Sequence, residues 1–334
     1  MEATYPETAT EILYPTYYNN ISVASVHIRS HIKKIGRMAF DGCRRLKFLT
    51  FEEGVEEIGM NGFAGLGIQS VELPDSIEQI DAGAFSKCYN LRKVKFPKRL
   101  TEISPYCFSE TYLENLDIPD SVTSLGRRAF ADCKLLKSVD FPSNLSVVES
   151  ECFAGCSSLK SIDFKEGLET VKEGVFKGCK KLDRIYFPDS IKTISYSIIE
   201  SCNGVDIYVP SRKDLYISIV DMVIWGFASG IYSLDCINTI FYRRGSELPT
   251  YRQIYDENLS FCNKVVNLVS LSGIEVAVKF PCQMYQIWEN RTEEEYKEAL
   301  IKAAAEAMEE DPKKLTVCLE TGVILYVDDY FVKK

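Results

Sequence analysis

The chain holds 12 cysteines and only two histidines in 334 residues. In the stretch IGRMAFDGCRRLKFLTF, Ile35 to Phe51, a Cys follows a Phe by three residues, and the arrangement returns along the chain. So many thiols suggest metal or redox chemistry. A zinc site needs clustered thiolates or imidazoles, yet the closest pair, Cys152 and Cys156, has no histidine companion. A disulfide needs Cα atoms about 5.5 Å apart with converging side chains. Cys43, Cys88, Cys133, Cys156, Cys179 and Cys202 each stand three residues after a bulky apolar residue, and Leu66 fills the same slot in another copy. Cys107 and Cys152 replace the small residue just before that apolar one, where Ala39, Ala84 and Ala129 stand elsewhere. Both slots therefore ask for an apolar group, which a buried free Cys supplies. Core packing is favoured over disulfide or metal chemistry, and no metal or cofactor is expected.

A Ser-His-Asp or Cys-His catalytic site would need His27 or His31. Neither has a nucleophile motif beside it, and by alignment with Lys95 and Arg99 both are expected to point outward. No glycine-rich phosphate loop, HExxH or GxSxG occurs. The chain is thus expected not to be an enzyme. The alternative is a histidine-free site in residues 211–334, built from carboxylates, Cys or Lys.

Those slots belong to a longer register. The anchor residues are Phe40, Phe63, Phe85, Phe108, Phe130, Phe153, Phe176 and Ile199, spaced by 22 or 23. Each is followed by an alternating apolar pair, from Leu49/Phe51 to Ile207/Val209, that reads as a short strand with one inward face. Pro-marked turns such as LPDS, IPDS and FPDS end these strands. A second apolar pair follows, as in Val55/Ile58 and Ile191/Ile194, and Val26/Ile28 with Ile32/Ile35 opens the series with a half unit. No unit of this size buries its own apolar face, so the units must stack into a solenoid.

The segments IGRMAFDGCRRLKFLTF, IDAGAFSKCYNLRKVKFP and LGRRAFADCKLLKSVDFP resemble the BspA-like leucine-rich repeats of many bacterial surface proteins and some protozoan ones. The resemblance covers about residues 21–210. It implies a leucine-rich repeat solenoid, a parallel sheet in a right-handed coil of about eight repeats of 22–23 residues, and a protein-interaction role. Departures are Leu66 and Thr111 in place of Cys and Gly62 in place of Ala. Residues 1–20 read as an N-terminal extension.

Of the outward strand positions the middle one is the most informative. Along the array it reads His27, Thr50, Glu72, Lys95, Asp117, Asp140, Asp163, Tyr186 and Tyr208. Stacked aspartates repel unless neutralised, and Lys137 and Lys160, three residues before Asp140 and Asp163, are expected to help. The plainer reading is a solvated face with compensating lysines. The functional one is a partner-binding surface of Glu72, Lys95, Asp117, Asp140, Asp163, Tyr186 and Tyr208, with an oxygen-ligated cation as a further option.

After Pro210 the period ends, and residues 211–334 are expected to form a mainly α-helical C-terminal domain that partly caps the solenoid. NRTEEEYKEALIKAAAEAMEEDP carries a capping box, Thr292 with Glu295, and a helical apolar stripe. PKKLTVCLETG reads as a short helix closed by Gly322, and LYISIVDMVIWGF and YDENLSFCNKVVNLVSL read as helices. IEVAVKF reads as a short strand or buried segment. The net charge of −9 argues against nucleic acid, and no run is apolar enough to span a bilayer. The expected partner is another protein. MEATYPETAT shows no secretory signal, which points to the cytoplasm for a complete chain and leaves the cell surface open for a trimmed one. On that second view the chain is a fragment of an adhesin contacting host or matrix proteins.

Overall fold

The computed structural model describes residues 1–195 and 197–210 in full. Beyond them it describes the backbone of five strands, Ile237–Tyr242, Asn267–Ser270, Val278–Lys279, Leu315–Cys318 and Val323–Tyr326. Among these residues the chain winds through nine stacked turns, each with three sides. On the first side lie parallel strands running from Ser25–Ile28 and Phe48–Phe51 to Arg184–Tyr186 and Val205–Val209. The alternation seen in the sequence fixes their facing, with Val26, Val71, Leu116 and Ile185 buried between outward neighbours. The second side stacks two-residue strands such as Lys34–Ile35, Glu57–Ile58 and Gln79–Ile80, each with its Ile inward.

The third side has no strands, yet its backbone is also hydrogen-bonded from turn to turn. Phe40 N–H donates to the Gly62 carbonyl at 2.9 Å, Phe85 to Cys107 at 2.8 Å and Phe176 to Ile198 at 2.7 Å. Left-handed residues two before and two after the anchor shape this bend, for example Arg128 (φ 54°) and Asp132 (φ 60°) around Phe130. The anchors form an aromatic ladder down the core. Successive rings from Tyr17 through Phe40, Phe63, Phe85, Phe108, Phe130 and Phe153 to Phe176 stack with centroids 4.9–6.0 Å apart. Such offset stacking adds to the burial of each ring.

Tyr17 in that ladder corrects one expectation. Residues 1–20, read as an extension, carry the first turn: Glu11–Ile12 pairs in parallel with Lys34–Ile35, and Ala3 N–H donates to the Ser25 carbonyl at 2.8 Å. Tyr replaces Phe and Asn20 stands in the Cys slot there, so the pattern is masked.

The cysteine slots are core, as their register implied. All eight described cysteines are free and buried. Each thiol of the anchor-plus-three row donates to the carbonyl of the anchor one turn back: Cys43 to Tyr17 at 2.9 Å, Cys88 to Phe63 at 3.3 Å and Cys202 to Phe176 at 3.1 Å. Thr111 keeps the slot polar by donating to its own anchor, Phe108, at 2.9 Å. Burial pushes the Cys43 thiol up to about 11 and Cys88 to about 12, so neither forms the reactive thiolate near neutral pH. Iodoacetamide is expected to label none of the eight in the native protein and all of them in guanidinium. Peptide mass spectrometry reads the outcome, and native labelling of Cys43 or Cys88 at the unfolded rate would contradict the burial.

Two kinds of loop leave the strand side. In the first, Leu73-Pro74-Asp75-Ser76 and its relatives, the Ser hydroxyl donates to the previous turn: Ser76 to the Val55 carbonyl at 2.8 Å and Ser190 to Leu168 at 2.8 Å. In the second, Glu53-Gly54 and Glu166-Gly167 replace the Pro-marked sequence and seat the loop that follows. Glu53 accepts the Asp75 and Ser76 amides at 3.1 and 2.9 Å, and Glu166 accepts those of Asp189 and Ser190 at 3.0 and 3.1 Å. Most ion pairs also span neighbouring turns, such as Lys34–Glu57 at 2.6 Å and Lys192–Glu169 at 2.7 Å.

The sheet does not stop at Pro210. Val205–Val209 pairs in parallel with Ile237–Tyr242, which pairs in parallel with Asn267–Ser270, and Val278–Lys279 adds an antiparallel edge. The spacing lengthens, with Ile240 opposite Ile207 and Leu268 opposite Ile240. Asn267–Ser270 lies within the segment read as a helix, and the open edge of Ile237–Tyr242, to which it pairs, explains its recruitment. Leu315–Cys318 is likewise a strand, antiparallel to Val323–Tyr326, and not the short helix expected of PKKLTVCLETG. The β-branched residues Thr316, Val317, Val323 and Ile324 outweigh the capping signals there. The other helices expected in residues 211–334, with Cys236, Cys262 and Cys282, lie outside the described residues.

Candidate functional site

The strand side brings the outward residues into one column. Glu72 lies opposite Lys95, Asp117 opposite Asp140, and Asp163, Tyr186 and Tyr208 follow in register. Glu72 and Lys95 form a loose, exposed ion pair at 3.5 Å, the kind worth only about 0–1 kcal/mol. Asp140 is held by Lys165 at 2.7 Å, and that bond raises the lysine's pKa. Among the described residues neither Asp117 nor Asp163 has an ion pair. The column reaches a pair of aromatic rings, Tyr186 stacked on Tyr208 with centroids 4.2 Å apart, and the strand register continues beyond them with Phe241 opposite Tyr208. Burial and the neighbouring Tyr186 push the Tyr208 phenol up to about 12.

The expected neutralising lysines act elsewhere. Lys137 reaches back one turn to Glu114 at 3.1 Å, which also takes Arg92 at 2.7 Å, and the two cations hold the Glu114 carboxyl below its usual range. Lys160 makes no ion pair among the described residues. The cation that does reach the aspartates, Lys165, stands just after inward Phe164, where other turns place Pro97, Pro119, Pro142 or Pro188. Glu52 holds the same slot after Phe51 and also folds back onto the strand side, to His27. The missing proline was the available signal: without its ring, this position carries an ionisable side chain.

The histidines part company. His27 is bound to Thr50 Oγ1 at 2.8 Å through Nδ1 and to Glu52 at 3.1 Å through Nε2. Glu52 also accepts the Ser30 amide at 2.8 Å, and this bond, with that to His27, lowers its pKa. A hydroxyl, an imidazole and a carboxylate in line imitate a catalytic triad. Here, however, the His27 and Glu52 side chains are 42% and 46% exposed on the open strand side. Its partners come from the next turn, so local sequence gave no hint of them. His31, expected outside, is half-buried, packs edge-on against Tyr5 at 5.9 Å, and keeps Nε2 buried without a hydrogen-bond partner. No cluster among the described residues could hold a metal ion, and no described helix is long and apolar enough to cross a membrane.

No curated protein matches the chain. Among solved structures it is similar to a leucine rich cell surface protein of Faecalibacterium prausnitzii A2-165, with 26% identity and a TM-score of 0.42. That match covers 59% of this chain and 63% of the other, so the chain spans less than two thirds of that relative's length. A T. pallidum leucine-rich repeat protein is 29% identical at a TM-score of 0.39, over 54% of this chain and 72% of its own. The pneumococcal vaccine antigen PcpA is 19% identical at a TM-score of 0.40, over 75% and 80%. A family model described as the BspA type leucine rich repeat region matches residues 10–135 and 101–217, in six copies. With its anchors, its Pro-marked loops and more than half its length inside that match, the chain belongs to the BspA type leucine rich repeat family.

Proposed function

We propose that the chain is a non-enzymatic interaction protein that binds another protein through its strand-lined side. The observation that supports this is the column itself. Asp117 and Asp163 have no ion pair among the described residues, Asp140 has a single exposed one, and a stacked tyrosine pair continues the column. Exposed carboxylates in a row cost stability unless something offsets the repulsion, and a complementary partner does so while gaining on-rate and specificity. Tyr186 and Tyr208 offer apolar area with a polar tip, the side-chain type enriched where partners meet. The role calls for no cofactor. An adhesin would use the same surface on a host or matrix protein and differ only in the partner.

The test starts with the full chain as bait in lysate and surroundings of the native organism, followed by affinity measurement with each purified partner at physiological salt. Changing Asp117, Asp140 and Asp163 together to Lys is expected to weaken binding at least tenfold, about 1.4 kcal/mol. The wild-type affinity should also fall with added salt. Equal affinity of the triple variant for every partner would sink the proposal.

A further inference from the structure

The corner that precedes the strand side is polar or glycine in most turns, with Arg44, Gly67, Lys134, Ser157, Lys180 and Asn203 four residues after the anchor. The first turn breaks that rule with Ile21, and two adjacent turns break it with the aromatic residues Tyr89 and Tyr112. Both rings stand in solvent, 50% and 38% exposed, a cost the fold does not need, since other turns close this corner without an aromatic residue. Between and beside them lie Glu110 and Asp132, each at the left-handed position two after its anchor (φ 58° and 60°). The backbone amides there are used up by the next turn, Glu110 N–H on the Ala131 carbonyl at 2.7 Å and Asp132 N–H on Ala154 at 2.6 Å. The carboxylates are therefore fixed at their base. With Lys134 these side chains line a cleft of about 310 Å³, at the small end for ligand pockets.

We infer that this cleft is a binding site for a neutral, hydroxyl-rich ligand, a glycan segment. A sugar ring presents an apolar C–H face and a rim of hydroxyls, so it needs a flat aromatic surface with polar groups at its edge. Tyr89 and Tyr112 supply the first. Tyr89 donates its hydroxyl to Glu110 at 3.1 Å, which fixes the ring and leaves Glu110 lone pairs to accept from the ligand. Asp132 adds a second acceptor, and Lys134 is the donor. An anion there meets two carboxylates, Glu110 and Asp132, against one lysine, Lys134, whereas an uncharged polyol meets no such penalty. Arg128 reaches Asp132 at 3.3 Å but is held more tightly by Glu151 at 2.5 Å, so a cationic side chain is the competing ligand that the experiment separates. This site lies apart from the acidic column and does not rest on the role proposed for it.

The experiment is saturation-transfer NMR of the full chain with cellohexaose, xylohexaose and N-acetylchitohexaose at millimolar concentration. At least one is expected to receive saturation at its ring protons. Changing Tyr89 and Tyr112 together to Ala should weaken that binding at least tenfold, while Tyr186→Ala leaves it unchanged. Both cleft rings are exposed, so the double variant is expected to keep the wild-type circular dichroism and melting profile. Absence of transfer to all three sugars overturns the inference, as does binding that survives the double variant. A lysine-rich peptide that binds the wild type and is lost in the double variant, with no sugar bound, shows instead that the cleft takes a cationic side chain.

Discussion

Replacing Phe108 with Ala is expected to lower the free energy of unfolding by about 3–5 kcal/mol. The ring is fully buried, stacked between Phe85 at 5.4 Å and Phe130 at 5.8 Å, with Phe96 edge-on at 5.4 Å. The cavity cannot close cheaply, because Phe108 N–H is bonded to the Ala129 carbonyl and the backbone of its neighbours is tied in the same way. In a stacked array the loss also falls on two interfaces at once, those with the turns before and after. Urea unfolding followed by circular dichroism measures it, with Phe48→Ala as the reference. Phe48 is 68% exposed, and its removal should change stability by no more than about 0.5 kcal/mol. A Phe108→Ala cost below about 1 kcal/mol would mean that the ladder contributes little.

The second large effect comes from a glycine. Gly54 has φ +151°, and a Cβ built there falls 2.2 Å from the Ser30 carbonyl oxygen and 2.8 Å from its carbon. Both are backbone atoms of the preceding turn, which no side-chain rotation can move aside. Gly167, in the same loop type, meets the Ser143 carbonyl oxygen at 2.6 Å with φ +107°. Overpacking of this kind costs about 1–3 kcal/mol, and an unfavourable φ adds about 1–2 kcal/mol. Gly54→Ala is therefore expected to destabilise by about 2–5 kcal/mol and Gly167→Ala by slightly less, again read by urea unfolding. Gly65→Ala calibrates the backbone part alone: its added Cβ has 3.6 Å of clearance at φ +67°. If Gly54→Ala costs no more than Gly65→Ala, the close approach of the two turns is not rigid.

The anchors, the paired strands and the core thiols were legible because each is a matter of period, and a period of 22 or 23 survives many local substitutions. What escaped was everything decided between turns. Lys137 was paired with Asp140 on nearness in the chain, yet the strand carries the two apart and Glu114, one turn back, lies closer. His27 found Thr50 and Glu52 in the same way, 23 and 25 residues on. The first turn was hidden by a change of residue type, Tyr17 for Phe, although Ile12 and Tyr17 stand 23 residues before Ile35 and Phe40. Beyond Pro210 the lengthened spacing broke the register while the sheet continued, because an exposed strand edge recruits a neighbour whatever the loop length. The seven face residues could be placed in one column from sequence. The partner of Asp140 could not, since Lys165 depends on which loop lacks proline.

The hydrogen bonds that tie each turn to the next on all three sides run along the stack. Tension applied at the two ends of the array therefore loads these interfaces one after another, like rungs in series, rather than shearing them together. Each turn that yields frees 22 or 23 residues, about 75 Å of extended chain, while the turns behind it keep their rings stacked and their thiols covered. Built this way, the array would lengthen under load in steps and shield its remaining core as it does so.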